Sequence, residues 1–181
     1  LFQDDLLLPF RTAVDNVALQ TRMRGMPKAE ARRESMKLLV HMGLGAAANR
    51  YPKQLSGGMR QRVSLARAFV HKPSTLLMDE PFGALDAISR LRMQGNLENL
   101  WLEGGDRKTV IFITHSVEEA VRLSDRILVL SPSPGRVVAE IEVTAPRPRP
   151  VAIESDPYLA ARSTRIYEIF DELGVFADVA S

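Results

Sequence analysis

Two adjacent carboxylates, Asp79 and Glu80, come directly after the short apolar run 75–78. Ligands bind beyond the carboxyl ends of strands in open α/β sheets, so a strand that ends in this pair presents both acids to a ligand. Asp79 can hold Mg²⁺ there, directly or through water, and Glu80 can deprotonate an attacking water. The alternative is a strand that simply exits to solvent. Adjacent carboxylates repel each other at an apolar strand end, which favours a functional pair.

A serine and two glycines, Ser56, Gly57 and Gly58, precede a predicted helix. Glycines let backbone N–H groups approach a ligand closely, and a helix N-terminus adds the positive end of its dipole. The segment is therefore suited to an anion such as a phosphate. The alternative is an ordinary helix cap in which Ser56 is the cap residue.

Three further residues, His115, Asp86 and Gln3, have side chains that can serve either a functional or a structural role. His115 follows the β-rich run 110–114, where an imidazole can contact a γ-phosphate or help to place a water, although a lone histidine is often structural. Asp86 opens a predicted helix, and capping is its simplest role. Gln3 means nothing alone. The apolar residues 8–10 after it indicate either a partner surface or a folded-back loop.

The secondary structure elements that must position these residues differ between two parts of the sequence. Residues 1–72 have helical periodicity, whereas residues 73–143 alternate strands with helices. Near-continuous apolar strands between helices predict a parallel sheet in an α/β fold, and a short turn between the last two strands predicts an antiparallel pair. The predicted helices are 12–24, 27–42, 59–70, 86–102 and 117–123, and the predicted strands are 75–78, 110–113, 126–130 and 136–143.

Three local patterns refine this outline. Ser116 and Glu119 form the pattern of a capping box ahead of the helix at 117–123. Residues 145–150, Ala-Pro-Arg-Pro-Arg-Pro, cannot form a helix and indicate an extended linker. An amphipathic helix then begins near Asp156 and ends at Gly174.

Composition limits the class of protein. Hydrophobic residues make up 45% of the 181 and charged residues 25%, the balance of a globular protein with a core, and no apolar run approaches the roughly 18 residues of a membrane span. The absence of cysteine excludes disulfides, thiolate metal sites and cysteine nucleophiles, and it fits a reducing compartment.

The formal net charge of +2 is unevenly distributed. Residues 35–78 contain no acid, and acids then arrive together at Asp79, Glu80 and Asp86. A basic stretch that meets an acidic cluster suits a phosphate ligand with a divalent cation, although a solvated basic helical surface is the simpler alternative.

In this order the features resemble the nucleotide-binding subunit of an ABC transporter. Residues 55–62 match the signature motif, 75–80 Walker B, and 84–86 the D-loop, while His115 matches the switch histidine and Gln3 the Q-loop. The stretches 2–10, 14–17 and 130–140 are similar to the nitrate/sulfonate/taurine (bicarbonate) importer group.

The resemblance implies an α/β fold, a P-loop NTPase-like ABC nucleotide-binding domain with an inserted helical subdomain. It places a partial ABC ATPase domain at 1–144, with its helical subdomain at about 4–72 and its catalytic part at about 73–144. A Pro/Arg linker at 145–155 and a C-terminal helical extension at 156–181 complete the predicted organisation.

In such subunits two copies sandwich two ATP molecules head to tail, and the resemblance gives each matched residue a role. Glu80 and His115 are catalytic, Asp79 and Gln3 contact Mg²⁺, and Asp86 is the D-loop acid. Ser56, Gly57, Gly58 and Gln61 bind nucleotide held by the partner subunit, and the permease contacts are Leu7, Leu8, Pro9 and Phe10.

The implied partners are a second nucleotide-binding subunit, in a homodimer, and transmembrane permease subunits. A periplasmic or extracellular solute-binding protein acts indirectly, nucleic acid is not a partner, and the implied location is peripheral on the cytoplasmic face of the membrane. ATP and Mg²⁺ are the implied cofactors.

Two other functions stay open. A non-hydrolysing regulatory module is disfavoured by the intact Asp79, Glu80 and His115. An ABC ATPase of DNA maintenance would carry long coiled coils, whereas only about fifty residues without sustained heptads separate Gln3 from Leu55.

One expected motif is missing. Family members place a Walker A loop, G-x-x-x-x-G-K-[ST], ahead of the Q-loop, and the sequence contains none. We therefore interpret the chain as N-terminally truncated and expect it to be inactive alone, without tight ATP binding. We also expect an exposed sheet edge and apolar surface, and hence poor stability or aggregation of the isolated chain.

Overall fold

The computed structural model describes residues 5–83, 85–102 and 109–175. They form two compact units, Leu1–Ile113 and Thr114–Ser181. Among the residues described, no helix combines the length and the apolar character that a bilayer crossing requires.

Three helices form the first part of unit 1: α1 (Ala13–Met23), α2 (Lys28–His41) and α3 (Gly57–Phe69). The Thr12 side chain caps α1 by accepting a hydrogen bond from the Asp15 amide. Small and β-branched residues on one face of α1 are fully buried, and α1 packs against both α2 and α3. Single 3₁₀ turns at Gly45–Ala47 and Pro52–Gln54 connect α2 to α3.

The helix boundaries differ slightly from the predicted ones. Pro27 occupies the N-cap position of α2 rather than its first helical position, and α3 begins at Gly57 instead of at Met59. The two glycines are thus the first turn of α3, which Ser56 makes possible by capping it. Gly43, just after α2, has a φ of +70°, a left-handed conformation that suits glycine.

A parallel pair of strands completes unit 1. β1 (Thr75–Asp79) leads through α4 (Ala87–Leu102) to β2 (Thr109–Ile113), with Leu77 opposite Ile111 and Asp79 opposite Ile113. Side chains alternate along β1, so Leu76 and Met78 are buried, while Leu77 lies on the exposed face. This is the predicted βαβ order.

Unit 2 contains α5 (Val117–Leu123), β3 (Arg126–Leu130), β4 (Val137–Glu142) and α6 (Pro157–Glu172). β3 and β4 pair antiparallel, as predicted, with an irregularity at Val129/Leu130. A single 3₁₀ turn at Ile153–Ser155 precedes α6, which Asp156 caps. The core joins all four elements and contains Val117, Val121, Ile127, Val129, Ile141, Val143, Ile153, Leu159, Ile166 and Ile169.

The Pro/Arg segment packs within unit 2. The sequence predicts an extended linker at 145–150, yet the Arg149 side chain is only 1% exposed. The charged guanidinium can be buried because backbone carbonyl groups of the same unit accept its hydrogen bonds. The domain boundaries given above stay predictions.

Candidate functional site

The end of β1 carries the predicted metal ligand Asp79 and the predicted catalytic base Glu80. Asp79 lies on the exposed face of the strand, and Glu80 follows with a φ of +42°. That left-handed conformation costs roughly 1–2 kcal/mol for a residue with a Cβ, and such residues cluster at functional sites. The Glu80 amide donates to the Ile113 carbonyl (2.9 Å), and its own carbonyl accepts from the Gly83 amide (3.2 Å).

Gly83 leaves room beside the Glu80 side chain. A Cβ added at Gly83 would lie 3.4 Å from Glu80 Oε2 and 3.6 Å from the Glu80 carbonyl oxygen. The turn that follows β1 therefore packs a bare backbone against the carboxylate, and this arrangement helps to define the position of Glu80.

The signature segment forms the capped start of α3. Ser56 Oγ accepts from the Met59 amide at 3.3 Å, which confirms the predicted cap. Gly57 and Gly58 occupy the first turn, where backbone N–H groups have no acceptor within the helix and the dipole is positive. The cap and the predicted anion-binding role are therefore compatible, and the nucleotide contact of these residues stays a prediction.

Two contacts join this segment to the residues after β1. Gln61, which is 3% exposed, donates from Nε2 to the Pro81 carbonyl at 3.0 Å. A Cβ at Gly58 would lie 3.3 Å from Leu85 Cδ2, so a larger residue there would push the two segments apart. The structure thus brings the signature segment against the residues that follow β1, within unit 1. The contact of Gln61 with nucleotide stays a prediction.

Asp86 caps α4, as its position predicts. Its Oδ1 accepts from the Ser89 amide at 2.9 Å. Hydrogen bonds from the Ser89 side chain and amide hold the pKa of Asp86 below its ordinary value, so the D-loop acid is ionised at neutral pH. Ala84, the first residue of the predicted D-loop, lies outside the described residues.

His115 belongs to unit 2, where its two neighbours are held by side-chain hydrogen bonds. Thr114 Oγ1 donates to Glu119 Oε2 (2.6 Å) and accepts from the Ser116 amide (3.1 Å). Ser116 Oγ in turn accepts from the Glu119 amide (3.2 Å), which is the serine half of the predicted capping box, while the Ser116 amide donates to Thr114 instead. The exposed His115 therefore lies in a well-braced turn.

The predicted permease segment differs in exposure along its length. Leu7 is 9% exposed, whereas Phe10 is 71% exposed. Pro9 is exposed as well, and Leu8 is intermediate. The Phe10 end thus offers the surface, while Leu7 packs inward. Gln3, the predicted Q-loop residue, lies outside the described residues.

One buried asparagine fixes the backbone of this segment. Asn16 Oδ1 accepts from the Leu8 amide (2.8 Å), and Asn16 Nδ2 donates to the carbonyls of Leu8, Arg11 and Thr12 (3.1–3.2 Å). Asn16 is fully buried in α1. Sequence reasoning missed this residue, although a polar side chain on the apolar face of a helix was a signal.

Two arginines of α3 hold the start of the same segment. Arg60 Nε donates to Asp5 Oδ2 (2.8 Å), and Arg67 donates to the carbonyls of Leu6 (2.7 Å) and Asp5 (2.9 Å). Burial lowers the pKa of Arg67, which stays protonated at neutral pH. Sequence reasoning missed this contact too. The one available signal was that Arg60 and Arg67 are two helical turns apart and therefore lie on one face of α3.

The donor set at β1 fits a metal that arrives with a nucleotide. Within the ranges that the structure covers, no three His, Cys, Asp or Glu side chains gather into a metal centre. Mg²⁺ at nucleotide sites is typically held by one or two carboxylates together with phosphates and water, which is the role that Asp79 can fill.

Comparison with known proteins identifies the family. The sequence model described as ABC transporter matches residues 1–83. The taurine import ATP-binding protein TauB of Chromobacterium violaceum is 43% identical over 94% of this chain and 67% of its own length. The aliphatic sulfonates import ATP-binding protein SsuB of Albidiferax ferrireducens is 46% identical over 93% of this chain and 56% of its own length.

Solved structures agree with these sequence matches. A dimeric, post-hydrolysis structure of the ATP-binding cassette MJ0796 bound to ADP and Pi has a TM-score of 0.69 and 35% identity, covering 80% of this chain and 62% of that one. TauB of Escherichia coli O157:H7 is 42% identical over 98% of this chain and 71% of its own length. Among the relatives compared, the chain spans between 54% and 71% of their length. It belongs to the ABC transporter family, with a P-loop-type ABC ATPase fold and the ATP-binding proteins of importers as its relatives.

Proposed function

We propose that the complete subunit containing this chain hydrolyses ATP to energise the import of a small anion. Relatives named for taurine and aliphatic sulfonate import support a sulfonate as the solute, with nitrate as the related choice. The observation that carries the proposal is Glu80, a carboxylate in a left-handed turn at the end of β1, on the same unit as the signature segment.

Glu80 acts as the general base in this proposal. It accepts a proton from the water that attacks the γ-phosphate, and Gly83, which has no Cβ, leaves room for the Glu80 carboxylate beside the turn. Asp79 would hold Mg²⁺ directly or through water, and the metal would supply charge neutralisation at the phosphates. His115 would contact the γ-phosphate, and Gln3 would contact the metal and link it to the permease interface.

The signature segment acts on the nucleotide of a second copy. Ser56, Gly57 and Gly58 present first-turn amides and a hydroxyl to a γ-phosphate held by the partner subunit, and Asp86 takes part in the same dimer contact. The cassette dimer with ADP and Pi supports this arrangement, and the homodimer needs the Walker A loop of the complete subunit.

Phe10 and the helical part of unit 1 receive a transmembrane permease, which places the subunit peripherally on the cytoplasmic face of the membrane. The solute-binding protein acts through that permease. A transport assay with the cognate permease that compares taurine, an alkanesulfonate and nitrate identifies the solute.

Glu80→Gln tests the chemistry. The amide keeps the size of the side chain but cannot take a proton, so the complete subunit should still bind ATP and dimerise while kcat falls by about 10²-fold or more. Glu30→Gln, a matched change at an exposed position of α2, should leave kcat unchanged. Near-normal turnover by Glu80→Gln would exclude Glu80 as the base.

A further inference from the structure

The helix that follows His115 is too short to orient itself. α5 contains 7 residues, and an isolated helix of that length is unstable in water because nucleation is costly. Its direction, and therefore the direction of the turn that carries His115, depends on contacts from other elements of unit 2. Residues 145–172 supply such contacts at both ends of α5.

At the N-terminal end, α6 reaches the residue beside His115 through one carboxylate. Tyr167 Oη donates to Glu118 Oε1 at 2.8 Å, and Ser116 Oγ donates to Glu118 Oε2 at 2.9 Å. This hydrogen bond to the Glu118 carboxylate raises the pKa of Tyr167, so the phenol keeps its proton at neutral pH and stays a donor. The path from α6 to Ser116 is thus two hydrogen bonds long.

At the C-terminal end, the two arginines of the Pro/Arg segment cap the helix. Arg149 Nη1 donates to the carbonyls of Val121 (3.1 Å), Arg122 (3.2 Å) and Ser124 (2.6 Å). Arg147 donates to the Leu123 carbonyl (2.7 Å) and pairs with Asp125 (2.6 Å). Positive charge and donors at this end satisfy the last carbonyls and favour the helix dipole.

We propose that three side chains within residues 145–172 position His115: Tyr167 acts through Glu118 and Ser116, while Arg147 and Arg149 hold the opposite end of α5. This assigns a role to a segment whose sequence predicts a linker and a C-terminal extension. The consequence for ATP turnover rests on the proposed function, whereas the effect on His115 itself does not.

Tyr167→Phe and Tyr158→Phe form a matched pair for the test. Both remove one hydroxyl from α6, but the Tyr158 hydroxyl bonds to Thr144, which is not part of α5. The probe is the ring cross-peak of His115 in the complete subunit with labelled histidine, assigned with His115→Gln. Tyr167→Phe should displace this cross-peak, whereas Tyr158→Phe should leave it in place.

A second variant guards against a general loss of structure. Glu118→Ala should displace the cross-peak in the same way, and the double variant Glu118→Ala/Tyr167→Phe should add nothing further, because both changes break the same path. The proposal is overturned if Tyr167→Phe leaves the His115 cross-peak unmoved, or if Tyr158→Phe moves it equally.

ATP hydrolysis by the same variants tests the consequence for catalysis. Tyr167→Phe should lower kcat several-fold with the KM for ATP unchanged, while Tyr158→Phe matches the parent. Equal kcat values for the two variants would overturn the catalytic consequence. A parent subunit without any ATPase activity would instead refute the proposed function, and the cross-peak comparison would still decide the role of Tyr167.

Discussion

The two small sheets of this chain differ in what they present on their outer faces. The outer face of β1 and β2 carries Leu77, Ile111 and Ile113, each between 56% and 61% exposed, and Asp79 is its one charge among the described strand residues. The outer face of β3 and β4 also exposes leucines, but Arg126 and Glu140 form an ion pair across it.

The difference matches the two kinds of pairing. Parallel strands are normally covered on both faces and read as continuous apolar runs, whereas an antiparallel hairpin commonly keeps one face in water and mixes polar residues into it. Unit 2 has the second pattern, with its core closed by α5 and α6. The apolar face of unit 1 supports the expectation that the isolated chain is prone to aggregate.

The largest effect is expected from removing the hydrogen bonds that Arg149 donates to backbone carbonyls of unit 2. Arg149→Ala removes a buried guanidinium and leaves several carbonyl oxygens without their donor, which should lower the free energy of unfolding by about 3–5 kcal/mol. Urea denaturation of the complete subunit, followed by a probe in unit 2, measures the loss. Arg126→Ala, at an exposed pair, should cost less than about 1 kcal/mol. Equal losses would show that Arg149 is not a cap.

A pair of substitutions sharpens the contrast between core and open face. Leu159→Ala empties a fully buried site in unit 2 and should cost about 3 kcal/mol, whereas Ile111→Ala on the outer face of unit 1 should cost less than about 0.5 kcal/mol in this chain. Ile111→Ala should also reduce the binding of a hydrophobic dye. A loss at Ile111 as large as that at Leu159 would mean that this face is covered.

The smallest effect concerns pH and belongs to unit 1. Burial raises the pKa of Asp15, but hydrogen bonds from Thr12 and Arg32 outweigh it, and the pKa lies below its ordinary value. A lowered pKa stabilises the fold above the unfolded value of about 3.9, and this stability is lost as the pH falls through the folded value. Asp15→Asn should therefore cost about 0.5 kcal/mol at pH 7 for this partly exposed pair.

Melting curves between pH 7 and pH 3 measure this contribution. The parent should lose stability faster than Asp15→Asn below pH 4, so the two curves converge in acid. Parallel curves over the whole range would contradict the role of Asp15, and Glu30→Asn provides a control on α2, where the side chain is exposed.

Much of the fold could be predicted because periodicity reports local geometry. The helices and strands lie within one or two residues of the predicted bounds, and the caps at Ser56, Asp86 and Ser116 follow from side chains next to their own helices. Asp79 and Glu80 could be placed at a strand end because the apolar run stops there. These inferences need only neighbouring residues.

Contacts between distant residues could not be predicted. Arg147 and Arg149 alternate with prolines in a segment that looks solvated, yet both donate to backbone carbonyls. Because every residue has a backbone carbonyl, the sequence does not indicate which of them accept these hydrogen bonds. The pairing of Asp5 with Arg60 joins residues far apart in the chain. The match of Gln3 to the Q-loop concerns a residue outside the described ranges, so it stays a prediction.

The four hydrogen bonds of Asn16 have a mechanical consequence. They connect both polar atoms of one buried side chain to the backbone of residues 8–12, so this loop cannot bend without either breaking bonds or carrying α1 with it. A displacement of the loop at Phe10 therefore moves α1 as a whole, because the loop does not deform separately from the helix. Arg60 and Arg67 extend the same stiffness from residues 5 and 6 into α3, the helix that begins with the signature glycines.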